Sequence, residues 1–195
     1  MSNGTWAKVT AKTAAEVAKL CPLSDEAKAL LRDGQTPKQL FEQLLAKPLY
    51  LDAIRLLAAA LPKREAVWWA CLCARQAHGA NPPAKIAAAL TAAEKWVADP
   101  SEDNRRACQA AAEAAEMKTP AGCAAMAAFW SGGSLGPPNV PAVPPGEQLT
   151  GHGVAGAVML AAVLNQPEKA AEKHKSFLNL GVEVASGTNR WKEGR

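Results

Sequence analysis

A chain of 195 residues with 49% hydrophobic and 21% charged side chains has the balance of a packed globular domain, not of a disordered one. Alanine makes up about a fifth of it and aromatics only 5%, which favours helix and excludes collagen-like, disulfide-stapled and predominantly β architectures. The net charge of +4 is spread along the chain without a basic cluster, so no nucleic-acid-binding face is expected.

Caps and prolines divide the sequence into helices. Thr13 with Glu16 three residues on forms a capping box, and the helix it opens stops before Pro22. Ser24 caps a second short helix ending at Asp33-Gly34. Thr36-Pro37, with Gln39 completing a box, starts a helix that reaches about Ala46. Pro48 opens one to Leu61, Pro62 another to His78 before Gly79, and Asn81-Pro82-Pro83 a third to Ala98. After the break at Asp99-Pro100-Ser101 a helix runs to Met117, and Thr119-Pro120 begins one that ends at Ser131-Gly132-Gly133. Two more cover residues 150–164 and 167–186.

Ile86, Ala89, Leu90, Ala93 and Val97 form an apolar stripe at helical spacing. Val67, Ala70, Ala74 and Ala77 form a narrow seam of small residues that lets a neighbouring helix approach closely. No stretch alternates with period two, and the helices vary too much in length for a repeat solenoid. The sequence predicts an all-α fold, one irregular bundle of about eight to ten helices spanning residues 1–195, with residues 1–12 and the tail 188–195 flexible. The longest apolar run, Gly153 to Leu164, is too short for a bilayer and reads as a helix buried on most sides. The polar start of the chain and five cysteines, most of them in apolar runs, fit a cytoplasmic, reducing setting with no membrane contact.

A Pro/Gly-rich loop over residues 132–149 interrupts the helices and carries Pro137, Pro138, Pro141, Pro144 and Pro145. Loops of that length are uncommon in compact domains. Its Leu135, Val140 and Val143 predict a polyproline-like strap laid across a helix surface, the alternative being a plain crossover.

The candidate chemical motifs lack the context their chemistry needs. Gly151-His152-Gly153-Val154-Ala155-Gly156 has the spacing of a pyrophosphate cradle, but a proline-rich loop and not a strand precedes it, so a close-packed helix face is expected. Ser131-Gly132-Gly133-Ser134 follows a helix, so carbonyls face it, and it reads as a C-cap. Cys71 and Cys73 point about 200° apart on a helix, and His78, His152 and His174 lack metal-ligand spacing. Ser131 or Cys123 with His152 sits on no recognisable nucleophile motif. Glu65, Glu94, Glu113 and Glu116 read as solvated side chains or ion-pair partners. No catalytic, cofactor-binding or metal-binding residue and no cofactor is expected.

Arg64, Trp68, Cys71, Arg75 and His78 share one helix face, the most polar of an apolar helix and so the expected outer one. Exposed Trp and Arg are common interface anchors. With the start of the loop they make the candidate partner-binding set Arg64, Trp68, Arg75, Trp130, Ser131, Gly132, Gly133, Ser134 and Leu135. For Trp69 and Trp96 a place in the core is expected.

Arg64 to Ala70 with its Trp68-Trp69 pair, Lys95 to Pro100 followed by Arg105 and Arg106, Ala127 to Leu135 with its Ser-Gly-Gly-Ser-Leu block, and Phe177 to Gly181 with Gly187 occur together in a recognisable order. Over about residues 37 to 187 the chain resembles an uncharacterised bacterial family of Ala-rich helical proteins. Members of that family lie near genes for type VI secretion spike-tip proteins and their loading chaperones. The resemblance implies a non-enzymatic interaction protein, an adaptor or co-chaperone whose partner is a secreted effector, a spike-tip protein or its chaperone. It supplies no catalytic residue. An immunity protein that blocks a toxin, or a small enzyme with an unrecognised site, are the alternatives.

Overall fold

Side-chain caps set half of the helix starts. In the computed structural model, which describes residues 5–137 and 139–191, the side chains of Thr13, Ser24, Thr36, Ser101 and Thr119 each accept a hydrogen bond from a backbone N–H three residues on. At Thr36 the Gln39 side chain returns the bond and closes the capping box. The elements are α1 (Ala14–Ala18), α2 (Asp25–Lys28), α3 (Pro37–Ala46), α4 (Tyr50–Ala60), α5 (Lys63–His78), α6 (Ala84–Ala98), α7 (Glu102–Ala115), α8 (Pro120–Phe129), α9 (Leu149–Val163) and α10 (Ala170–Ser186). A 3-10 turn, Pro167–Lys169, leads into α10. No strand occurs among the described residues, and the fold is an all-α bundle.

Most ends fall within about two residues of the sequence expectation, and two differ by more. The Ser24 helix stops at Lys28 and not at Asp33-Gly34, because the N–H groups of Leu30 and Leu31 reach back only three residues and tighten the chain into turns. The last helix starts at Ala170, since the residues from Pro167 take up 3-10 form first.

α8 is the axis of the bundle. All ten of its residues are buried, with α5, α6, α7 and α9 packed around it. Only Met126 and Phe129 in it are large, so four neighbours can approach one helix on every side. The sequence points to 153–164 as the helix enclosed on most sides. α9 is indeed apolar all round, but Val163 and Leu164 at its end stay exposed, and the fully enclosed helix is α8. The expected stripe on α6 (Ile86, Ala89, Leu90, Ala93, Val97) is buried throughout, as are Val67, Ala70 and Ala74 of the α5 seam. Outside this centre, α1 and α3 pack on α4, and α10 lies across α4, α5 and α9.

The chain ends are tied down where they are described. Trp6, in the lead expected to be flexible, is buried edge-on against Phe41 with ring centres 5.1 Å apart, and the Lys8 N–H donates to the Ala185 carbonyl. The rest of that lead (1–4), the tail beyond Trp191 (192–195) and Pro138 of the loop lie outside the described residues. No helix among the described residues is long and apolar enough to cross a membrane.

The glycines at 151, 153 and 156 sit inside α9. A Cβ on Gly153 would stand 2.9 Å from the Ala127 Cβ and 3.2 Å from its Cα, so this glycine sets how closely α9 lies on α8. At Gly156 a Cβ would meet only the Cys123 Sγ, at an ordinary 3.7 Å. Gly153→Ala is therefore expected to cost about 1–3 kcal/mol of stability, as overpacking between two helix backbones does. Gly156→Ala should be neutral or stabilising by up to about 1 kcal/mol, the helix-propensity gain. Urea denaturation of the two variants checks this, and equal effects would contradict the packing role.

Candidate interaction surface

At one end of the bundle, the C-termini of α6 and α8 open beside the first turns of α5 and α7. The last carbonyls of a helix have no partner within it. Arg64 of α5 and Arg105 of α7 donate to carbonyls at these ends, and Lys63, Arg105 and Arg106 grip the loop that leaves α8.

Arg105 is the centre of this arrangement. Ser101 caps α7, and Glu102 stands three residues before Arg105, one turn away on the same face. The Nε–H and one Nη2–H of Arg105 fork onto the two Glu102 oxygens at 2.6 and 2.7 Å. Its Nη1 donates to the Phe129 carbonyl at the end of α8, and Nη2 also donates to the Ser134 carbonyl at 3.0 Å. The guanidinium lies 4.7 Å over the Phe129 ring, and the residue is only 3% exposed. Gly133, in the left-handed region at φ +62°, passes so close that a Cβ there would stand 2.8 Å from the Arg105 Nη2. The guanidinium holds the Glu102 carboxyl down from an ordinary 4.5 to about 2, and a hydrogen bond from Arg106 adds to the effect.

The neighbouring cations extend the grip. Arg106 Nε–H donates to Glu102 at 2.8 Å and its Nη1–H to the Gly136 carbonyl at 2.8 Å. Lys63, first residue of α5, donates to the Ser131 carbonyl at 2.9 Å. Arg64 donates to the carbonyls of Val97 and Ala98, at the end of α6, at 2.6 and 2.8 Å.

Within the loop, Ser134 Oγ accepts from the N–H groups of Gly136 and Val143, and the Leu135 N–H donates to the Val143 carbonyl at 2.8 Å. The loop thus closes on itself between 134 and 143. Leu135 packs on the core, whereas Val140 and Val143 are 47% and 52% exposed. This corrects the expected strap: the valines stand off the protein because Ser134 and Leu135 take up the backbone of Val143 first.

The nine candidate partner residues separate into two groups. Trp130 to Leu135 belong to the clamp just described, with Trp130 half-buried against the core. Arg64, Trp68 and Arg75 are all engaged by the chain itself. The Arg64 guanidinium lies 4.3 Å over the Trp191 ring, and the Trp68 Nε1–H donates to Asn189 at 3.3 Å. Arg75 pairs with both oxygens of Glu94 on α6 at 2.7 Å. On this face Cys71 is fully buried and Arg64 and Trp68 are half-covered by the C-terminal segment, whereas Arg75, although paired with Glu94 of α6, stays exposed at the surface. Trp69 and Trp96 are buried as expected, and Trp69 Nε1–H donates to the Phe177 carbonyl at 2.7 Å. The sequence reading missed the anchoring role of Lys63, Glu102, Arg105 and Arg106. The signal available was Glu102 placed three and four residues before two adjacent arginines.

Reactive groups elsewhere are packed away. Burial pushes the Cys21 thiol up to about 11 and Cys108 to about 12, and raises Cys71, Cys73 and Cys123 as well. Burial also lowers His78 and His174 toward the neutral form. Among the described residues no group of three His, Cys, Asp or Glu side chains is placed to hold a metal. A cleft of about 660 Å³ between α1 and the α4–α5 junction is lined by Glu16, Lys19, Leu20 and Glu147, and Glu16 there is already bonded to the α1 cap. Glu65, Glu94 and Glu116 pair with Lys8, Arg75 and Lys118.

Arg105→Met removes the donors for two helix-end and loop carbonyls in a buried site and should cost about 3 kcal/mol of stability. Arg106→Met, at a side chain one-quarter exposed, should cost about 1 kcal/mol or less and mainly speed proteolysis within 134–143. Urea titration with limited proteolysis separates the two effects. Because the Glu102 carboxyl is held below its ordinary value, its contribution is present above pH 4.5 and fades as pH falls toward 2. With 55% of that side chain in water the effect is small, and Glu102→Gln should flatten the stability-against-pH curve only in that window.

No curated protein and no solved structure matches the chain. Residues 40–185 match a family of unknown function, and on that match, spanning α4 to α10 and the whole clamp, the chain belongs to DUF6931.

Proposed function

We propose that this protein is a non-catalytic protein-interaction module, an adaptor or co-chaperone that helps load a secreted effector or spike-tip protein of the type VI system. One observation carries the interaction reading: a loop bearing two exposed valines is fixed to the bundle end by Lys63, Arg105 and Arg106 through the carbonyls of Ser131, Ser134 and Gly136. A segment anchored at that cost in buried charge, yet turned away from the core, is suited to contact something else. The class of partner comes from the family resemblance of the Trp-Trp and Ser-Gly-Gly-Ser-Leu blocks, and the working place is the cytoplasm, before secretion.

The residues that would meet the partner are those of the loop beyond its clamp. Of the other candidates, Arg64 braces the same bundle end through the carbonyls of Val97 and Ala98, while Trp68 and Arg75 are tied to Asn189 and Glu94. Tagged full-length protein, recovered from its native cell after brief chemical cross-linking, should bring down a secreted effector, a spike-tip protein or its chaperone in near-stoichiometric amount. Recovery of no protein above background would defeat the interaction reading. A stoichiometric partner unrelated to secretion would defeat the loading role alone.

A further inference from the structure

From Ser131 to Gly146 the chain has no charged side chain. Pro141 and Pro144 fall three residues apart, and so do Val140 and Val143. A polyproline II helix has three residues per turn, so in that form the two prolines lie along one edge with Val143 on the next, and Val140 precedes them in a bend, its N–H returning to the Pro137 carbonyl. Residues 141–146 have neither helix nor turn and make no hydrogen bond to one another, and the prolines at 141, 144 and 145 hold the residues before them extended. The carbonyls of Pro141, Ala142 and Pro144 accept no hydrogen bond from the described residues and stay open to a donor.

We infer that this segment is a preformed polyproline ligand, and that the partner reads it with an apolar groove lined by aromatic side chains whose Trp N–H or Tyr O–H groups meet those carbonyls. The inference rests on the interaction reading above and names its recognition chemistry. Three features point to that kind of groove. The segment offers ring and branched aliphatic surface without charge, so an electrostatic partner gains nothing from it. Its base is already fixed by Ser134 and by the arginines on the Ser134 and Gly136 carbonyls, so little ordering entropy remains to be lost on docking. A second copy of this chain is a poor source of the groove, because six of its ten aromatic side chains are buried and the four half-buried ones, Tyr50, Trp68, Trp130 and Trp191, already pack on its own core.

The test uses the full chain with the photoreactive residue p-benzoylphenylalanine at position 143, and in a control at position 163, irradiated in the native cell. Cross-linked peptides are then sequenced. The expected result is one partner joined from position 143 and not from 163, at a segment containing at least two Trp, Tyr or Phe residues. Retention of that partner by the otherwise native chain should fall at least tenfold with Pro141→Ala/Pro144→Ala, and likewise with Val140→Ser/Val143→Ser. Each variant should keep the wild-type melting temperature, since these residues are exposed. Retention should change less than twofold between 50 and 500 mM salt. Partner retention within twofold of wild type in both variants would overturn the proline-ligand proposal while leaving the interaction reading intact. A cross-link to lipid, to nucleic acid or to a segment without aromatic residues would also overturn it. If the unsubstituted chain retains no partner at all, the interaction reading fails and this proposal with it.

Discussion

The buried guanidinium of Arg105 is the constraint on which one end of this bundle depends. It joins the start of α7 to the end of α8 and to the loop beyond, through Glu102, Phe129 and Ser134. Only arginine fits the place. Its planar fork offers five fixed donors and never loses its charge, whereas a lysine ammonium could not face a carboxylate and two divergent carbonyls together. The antiparallel packing explains why so many cations gather there. Lys63 and Arg64 stand in the first turn of α5, where the helix's own dipole disfavours positive charge. They reach instead the carbonyl ends of α8 and α6, where the neighbouring dipoles favour it.

Alanine makes this crowding possible. With α8 composed almost wholly of small residues, four helices close around it and their ends come within one side chain's reach of each other. The large residues are then needed at the margins, where the spacing widens. Trp69 spans from α5 to α10 and satisfies its single N–H on the Phe177 carbonyl. Buried cysteines do similar work at smaller volume. Their thiols are raised because burial takes these small polarizable groups out of water and penalises the thiolate.

Helix starts were the most legible part of the chain, since a Ser or Thr followed by a bonded N–H three residues on is a local device and α7 and α8 obey it as α1 and α3 do. Helix ends depend on neighbours and were read less well, as at Lys28. The packing role of the glycines in α9 could be inferred because the element before them, a proline loop, excludes a phosphate cradle. The Arg64–Trp68–Arg75 face was read only in part, for a specific reason. Periodicity shows that a face is polar but not whether water or another helix meets it, and a long arginine side chain satisfies either. Glu94, nineteen residues from Arg75, pairs with it at the surface, and no local pattern announces a pair at that separation.

The same geometry divides the loop into two parts with different energetics. On the inner side, charge and backbone hydrogen bonds do the holding, and at Arg105, the one buried member of the set, such bonds are strong and costly to break. On the outer side there is no charge, only proline rings and two valines. Apolar surface left in water at a rigid site is unfavourable for the isolated protein, and simple relaxation cannot hide it while Ser134 and Leu135 hold Val143 in place. The clamp therefore fixes the position of the loop without contributing to what the loop touches. Its cations face inward to the helix ends, and the outer edge remains free to be covered by apolar contact.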